Sequence, residues 1–217
     1  MDKEVIREAR RQFLPSGEQH LLQKSKALMP DTVRKALTGM RPKEFLTKHN
    51  PAIAAMLLRR GTTCGEWALR EDIPTLAHVA EVYGRDLATA WLKILLSDVE
   101  NVLGTTAYPE TAVEETARNI YANYADWNVA NVLQFFGRYK SGEWAERMQH
   151  LPGLMRIMAA LKVYAKTREE DMRRVLRERE EAEGYRQREE WAKRAVSHEE
   201  AVGSAEYIKG FEDAKKK

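Results

Sequence analysis

Cysteine is nearly absent from this chain. Cys64 is the single thiol among 217 residues, so no intrachain disulfide can form, and a Cys-rich structural zinc site has too few ligands. The five histidines, His20, His49, His78, His150 and His198, are too scattered to supply a metal site from local spacing. Long apolar runs are missing too. Nothing approaches the roughly 20 apolar residues of a membrane-spanning helix, and the opening MDKEVIREARRQ lacks the apolar stretch of a secretory signal. Alternation of apolar and polar residues, the mark of a half-buried strand, hardly occurs. No glycine-rich phosphate loop follows a strand, and no serine or cysteine elbow is present. These absences set the expectation of a soluble, cytoplasmic, non-enzymatic protein that needs no cofactor or metal and has no membrane partner.

Charge is abundant but unevenly placed. The net value is only +3, yet residues 1–60 carry 13 Lys+Arg against 6 Asp+Glu, or +7, and residues 61–125 carry 4 against 10, or −6. Residues 126–165 return to +2, and the last 52 residues balance at 14 against 14. A basic first third beside an acidic middle fits attraction to nucleic acid, and equally fits two parts that attract each other.

Apolar spacing of three and four predicts an all-α fold. Val5, Ile6, Ala9, Phe13 and Leu14 mark a first helix stopped by Pro15-Ser16-Gly17, and Leu21, Leu22, Ala27 and Leu28 mark a second stopped near Pro30. Asp31 reads as the cap of a third, ending at Gly39, while Pro42 and Pro51 occupy first-turn positions. Farther on, Leu76, Val79, Ala80 and Tyr83 share one face. Gly84 interrupts, and a wide stripe follows from Leu87 to Val102, with Asp98 on it, until Gly104. Pro109 and Thr111 open the next helix, and Asp126 or Asn128 caps the one after it. The chain is thus divided into a basic region of short helices (1–73), a helical core (74–165) and a charged helix with a tail (166–217).

The final region changes character. Residues 166–194 hold 10 basic and 9 acidic side chains, with Met172, Val175, Leu176, Ala182, Tyr185 and Trp191 as sparse apolar content. Glu169/Arg173, Glu170/Arg174 and Glu190/Arg194 are favourably ordered pairs four apart, each worth about 0.2–0.5 kcal/mol in a helix. Such a helix can remain solvated, and its apolar residues do not sustain a coiled-coil repeat.

The most distinctive text is NVANVLQFFGRYKSGEWAERM, residues 128–148. Phe135, Phe136, Arg138, Tyr139, Lys140, Trp144 and Arg147 mix rings with cations around a Ser141-Gly142 turn. In one reading Arg138, Tyr139, Lys140, Trp144 and Arg147 form a single-stranded nucleic-acid site, rings stacking on bases and cations neutralising phosphates. In the other, Phe135, Phe136 and Trp144 are core and the cations solvated. The basic residues Arg7, Arg10, Arg11, Lys24, Lys26, Arg34, Lys35, Arg41, Lys43, Lys48, Arg59 and Arg60 divide likewise between phosphate tracking and ordinary solvation. Among acids, Asp98, Glu100, Glu114 and Glu115 would need a converging partner to do chemistry. Cys64 reads as a small packing residue.

Gly84-Arg85, Trp91-Leu92-Lys93, the helix Thr111 to Ala125 and the segment FFGRYKSG (135–142) together resemble a family of uncharacterised helical proteins of Bacteroidetes phages and mobile elements. The resemblance covers about half the chain and departs from the family text at Glu143-Trp144-Ala145-Glu146 and Leu151-Pro152-Gly153. It implies a role in replication or maintenance of a mobile element. The combined expectation is a nucleic-acid-associated accessory protein, with residues 166–217 engaging a replication protein. The alternative is a protein-interaction adaptor that acts through the charged helix and binds no nucleic acid.

Overall fold

A computed structural model describes residues 29–59, 61–104 and 108–194. The first two expected helices and the tail beyond residue 194 lie outside that range. Among the described residues there are ten helices and no strand, so the chain is all-α. They are α1 (Asp31–Thr38), α2 (Pro42–Lys48), α3 (Ile53–Arg59), α4 (Cys64–Ala68), α5 (Leu76–Tyr83), α6 (Arg85–Leu103), α7 (Glu110–Tyr124), α8 (Val129–Lys140), α9 (Ala145–Met148) and α10 (Gly153–Arg194).

Local chemistry sets most boundaries. Pro42 stands at the first position of α2, where its missing N–H would be unpaired anyway. Thr63 and Thr75 cap α4 and α5 by accepting from the Glu66 and His78 amides, and Asn128 caps α8 by accepting from the Asn131 amide. Gly104 ends α6 in the left-handed region at φ 61°, a conformation that favours glycine. Asp31 is corrected from cap to first-turn residue: Pro30 precedes the helix and no side chain caps it. Thr75 and Asn128 also meet in an isolated antiparallel bridge. There the Leu76 amide donates to the Trp127 carbonyl at 2.9 Å, and the Val129 amide to the Pro74 carbonyl at 2.9 Å.

The chain divides into two compact units, residues 1–173 and 174–217. Within the first, α6 packs on α5 and α7, and α8 packs on α3, α4 and α6. The core is not confined to residues 74–165, because Val33, Leu37, Phe45, Ala54 and Trp67 are buried in the same cluster. The short N-terminal helices are amphipathic, and a helix with an apolar stripe must cover it. Phe45 does so against Trp91, whose Nε1 donates to the His49 carbonyl at 2.7 Å.

His49 meets Phe45 at 4.7 Å between centroids, with the rings tilted by 45°. Burial, with Lys48 adding to it, lowers its pKa to about 4. A histidine whose folded pKa lies below its unfolded value of about 6.5 takes up more protons when unfolded. Stability is therefore expected to fall as pH drops from about 6.5 towards 4. Urea melts across that window should show a flatter pH dependence in His49→Gln, and an unchanged slope would remove His49 as the cause.

Candidate functional site

From Val129 to Gly137, α8 carries no charged side chain, and every one of those residues is buried. A helical stretch without charge can be buried on all sides once its few amide side chains find partners. Its close fit on α3 depends on Gly137: a Cβ there would stand 3.3 Å from both the Ala54 Cβ and the Ala54 carbonyl oxygen. Beyond Lys140 the chain turns at Gly142, φ 84°, and returns Trp144 onto Phe135, with rings stacked at 5.5 Å. Phe135 also meets Phe136 and Tyr164 edge-on.

The exposure that the nucleic-acid reading needs at Tyr139 and Trp144 is therefore corrected, and Trp144 is core as the other reading has it. Tyr139 and Trp144 are 8% and 5% exposed, because their rings complete the aromatic cluster around Phe135. Arg138 lies over Trp144 and Tyr164, 5.7 and 5.6 Å from their centroids, and is ion-paired with Glu143. Lys140 Nζ reaches Asp98 Oδ2 at 2.5 Å, which also gives the acid on the α6 stripe its partner. Of the five candidate residues, Arg147 alone is exposed. No base could stack on Trp144 without opening the core. Trp144→Ala is expected to cost about 3–5 kcal/mol of stability, read from urea melts, with no specific loss of single-strand affinity at temperatures where the variant stays folded. A selective loss of such affinity in a fully folded variant would restore the stacking reading.

Beside this cluster lies a polar arrangement that sequence spacing alone did not suggest. Asn128, Asn131 and Gln134 follow one another at three-residue intervals along α8. Their side-chain amides donate to the carbonyls of Trp67, Cys64 and Thr62, at 2.6, 2.9 and 2.9 Å. Three side chains thus hold the segment entering α4 by its backbone. From α10, the Tyr164 hydroxyl donates to Gln134 Oε1 at 2.9 Å and Arg168 Nε donates to Asn131 Oδ1 at 3.3 Å. Asp171 accepts from the Gly65 amide at 2.7 Å and from the Cys64 thiol at 3.5 Å. Buried polar groups are tolerable only when satisfied in this way.

Burial dominates the electrostatics of the network. Burial, reinforced by the neighbouring Asp171, pushes the Cys64 thiol up to about 11, so the thiolate is scarce at neutral pH. Burial raises Tyr164 as well. It lowers the Arg168 guanidinium and raises the Asp126 carboxyl, each opposed by the other's charge. Arg168 also covers the Trp127 ring at 5.3 Å. Among the described residues, no group of three or more His, Cys, Asp or Glu could hold a metal ion.

Between α6 and α7 runs an open groove of about 840 Å³, lined by Arg85, Asp86, Lys93, Glu114, Arg118 and Tyr121 among others. All three of its cations are engaged. Lys93 pairs with Glu110 and Glu114 at 3.4 Å, Arg118 pairs with Glu114 at 2.5 Å, and Arg85 lies over Tyr121 at 5.2 Å. Glu100 is likewise occupied, accepting from the Tyr108 amide at 2.8 Å.

The remaining surface with unusual chemistry is the distal part of α10. From Leu176 to Lys193 every residue but Gly184 is exposed. Tyr185 and Trp191 are 66% and 70% exposed, whereas Phe45, Trp67, Trp91, Trp127, Phe135, Phe136 and Trp144 are all buried. None of the described helices is long and apolar enough to cross a membrane, so lipid does not explain these rings as part of a span. No protein-family model, curated protein or solved structure matches the chain.

Proposed function

We propose that the chain is a protein-interaction adaptor whose working surface is the solvated half of α10. One observation carries this reading: among the described residues the other large rings are buried or half-buried, while Tyr185 and Trp191 stand exposed on the charge-rich distal half of α10. Isolated exposed apolar residues need no explanation, but tryptophan, tyrosine and arginine are the side chains on which protein interfaces concentrate their energy. The balanced charge of residues 166–194, 10 basic against 9 acidic, also favours protein over polyanion, because phosphate binding draws on an excess of cations. The buried network fits the same role, since it fixes the proximal part of α10 to α4 and α8 through Tyr164, Arg168 and Asp171. Replication or maintenance of a mobile element, as the process served, rests on the family resemblance alone.

The test is site-specific photo-crosslinking in the producing cell, with benzoyl-phenylalanine replacing Tyr185 or Trp191 in the full chain. Discrete protein adducts are expected at both positions and not from the same probe at exposed Lys162. No adduct at either position overturns the reading. Anisotropy titration against labelled single-stranded and duplex DNA at two salt concentrations tests the other reading, and salt-sensitive binding would return it to first place.

A further inference from the structure

Gly184 is anomalous where it stands. It lies inside α10, where glycine costs about 1 kcal/mol relative to alanine, and a Cβ built on it meets nothing within 4 Å. Nothing among the described residues therefore requires glycine here. A second backbone passing close over the position would.

The neighbours of Gly184 say which backbone. Residues four and seven away lie within about 40° of it around the helix axis, so Arg177, Glu180, Gly184, Arg188 and Trp191 share one face. The face is complementary to its own reversal. Four residues before the glycine stands Glu180 and four after stands Arg188; seven before stands Arg177 and seven after stands Trp191. Crossing two such helices antiparallel at Gly184 sets Glu180 against Arg188 and Arg177 against Trp191, each twice. These are an ion-pair and a cation–π combination. At the rim, eight residues away on either side, Leu176 meets Ala192. A parallel pairing would instead set Arg177, Glu180 and Arg188 each against its own copy, like charge on like. Within the chain Glu180 and Arg177 make no ion pair with a described residue, and Arg188 donates only to the Gly184 carbonyl of its own helix, at 3.1 Å.

We infer that the partner of this face is a second copy of the chain, paired antiparallel about a two-fold axis at Gly184. The inference rests on the adaptor reading and names its partner. A two-fold interface repeats each contact and closes on itself, which the mirrored spacing supplies. One pair of crossed helices is small beside the interfaces of permanent complexes, so the dimer is a reversible one, seen by titrating protein concentration.

Sedimentation equilibrium on the purified full chain tests this, with circular dichroism to confirm that the variants stay helical; they alter two exposed positions and Gly184, where an added Cβ meets nothing within 4 Å. The wild type is expected to show a concentration-dependent monomer–dimer equilibrium. Gly184→Leu, Glu180→Arg and Arg188→Glu are each expected to weaken self-association about tenfold or more, since attraction becomes clash or repulsion at two symmetric places. An equimolar mixture of Glu180→Arg with Arg188→Glu is expected to dimerise again, because each altered charge then faces its opposite across the axis. A wild type that stays monomeric, a dimer indifferent to all three substitutions, or a mixture that does not recover overturns the inference. Adducts to other proteins at residues 185 and 191 beside a monomeric wild type would leave the adaptor reading standing and remove only this one.

Discussion

Gly65→Ala is expected to lower stability by about 3 kcal/mol, the upper range for overpacking. A Cβ at this position would lie 2.5 Å from the Asp171 carbonyl carbon and 2.5 Å from the Met172 nitrogen. Both are backbone atoms of α10, so no side chain can swing aside, and α4 must separate from α10 to admit the methyl group. Separation also stretches the 2.7 Å bond from the Gly65 amide to Asp171. Urea unfolding followed by tryptophan fluorescence would measure the loss. Gly137→Ala serves as the comparison, since its Cβ would sit at 3.1–3.3 Å from Ala54 and Leu58 atoms and is expected to cost less. A Gly65→Ala protein as stable as the wild type would mean that α4 and α10 are not in backbone contact.

Asn131→Ala is expected to cost a similar amount, about 3 kcal/mol, for a different reason. Asn131 is fully buried, and its side chain serves the Cys64 carbonyl at 2.9 Å and Arg168 Nε at 3.3 Å. Alanine leaves an inward carbonyl and one nitrogen of a buried guanidinium without these partners. An orphaned buried polar group costs about 1–3 kcal/mol. Tyr164→Phe removes the hydroxyl that donates to Gln134 Oε1 at 2.9 Å and accepts from Asn131 Nδ2 at 3.3 Å, and about 1–3 kcal/mol is expected. A double-mutant cycle between the two positions would report their coupling, and strict additivity would show that the groups do not act as a network.

The helical architecture was legible because its punctuation is local. Pro42, Thr75, Gly84, Gly104, Pro109 and Asn128 each act through their own backbone or cap, so their positions bounded α2 and α5 to α8 without tertiary knowledge. Glu66, three residues after Thr63, carried an unread capping signature for α4. The Phe135 to Arg147 segment was ambiguous because rings and cations at alternating positions suit both stacking and packing. The uncharged run Val129 to Gly137 favours packing, since no residue of it demands solvent as a charge does. The polar network was not legible at all. Asn128, Asn131 and Gln134 read as a solvated stripe until another segment offers its carbonyls, and their partners at Thr62, Cys64 and Trp67 lie 61 to 72 positions away in the chain.

The bridge between Thr75 and Asn128 has a kinetic corollary. It fastens the chain just before α5 to the chain just before α8, and α5, α6 and α7 form the loop so closed. Three amides seal it: Leu76 and Ala77 donate to Trp127 and Ala125, and Val129 donates to Pro74. Protons on these three nitrogens can exchange with solvent only when the clasp parts. Once each rate is divided by the amide's intrinsic rate, the three are therefore expected to report one shared opening free energy, that of releasing the three-helix loop as a cooperative piece.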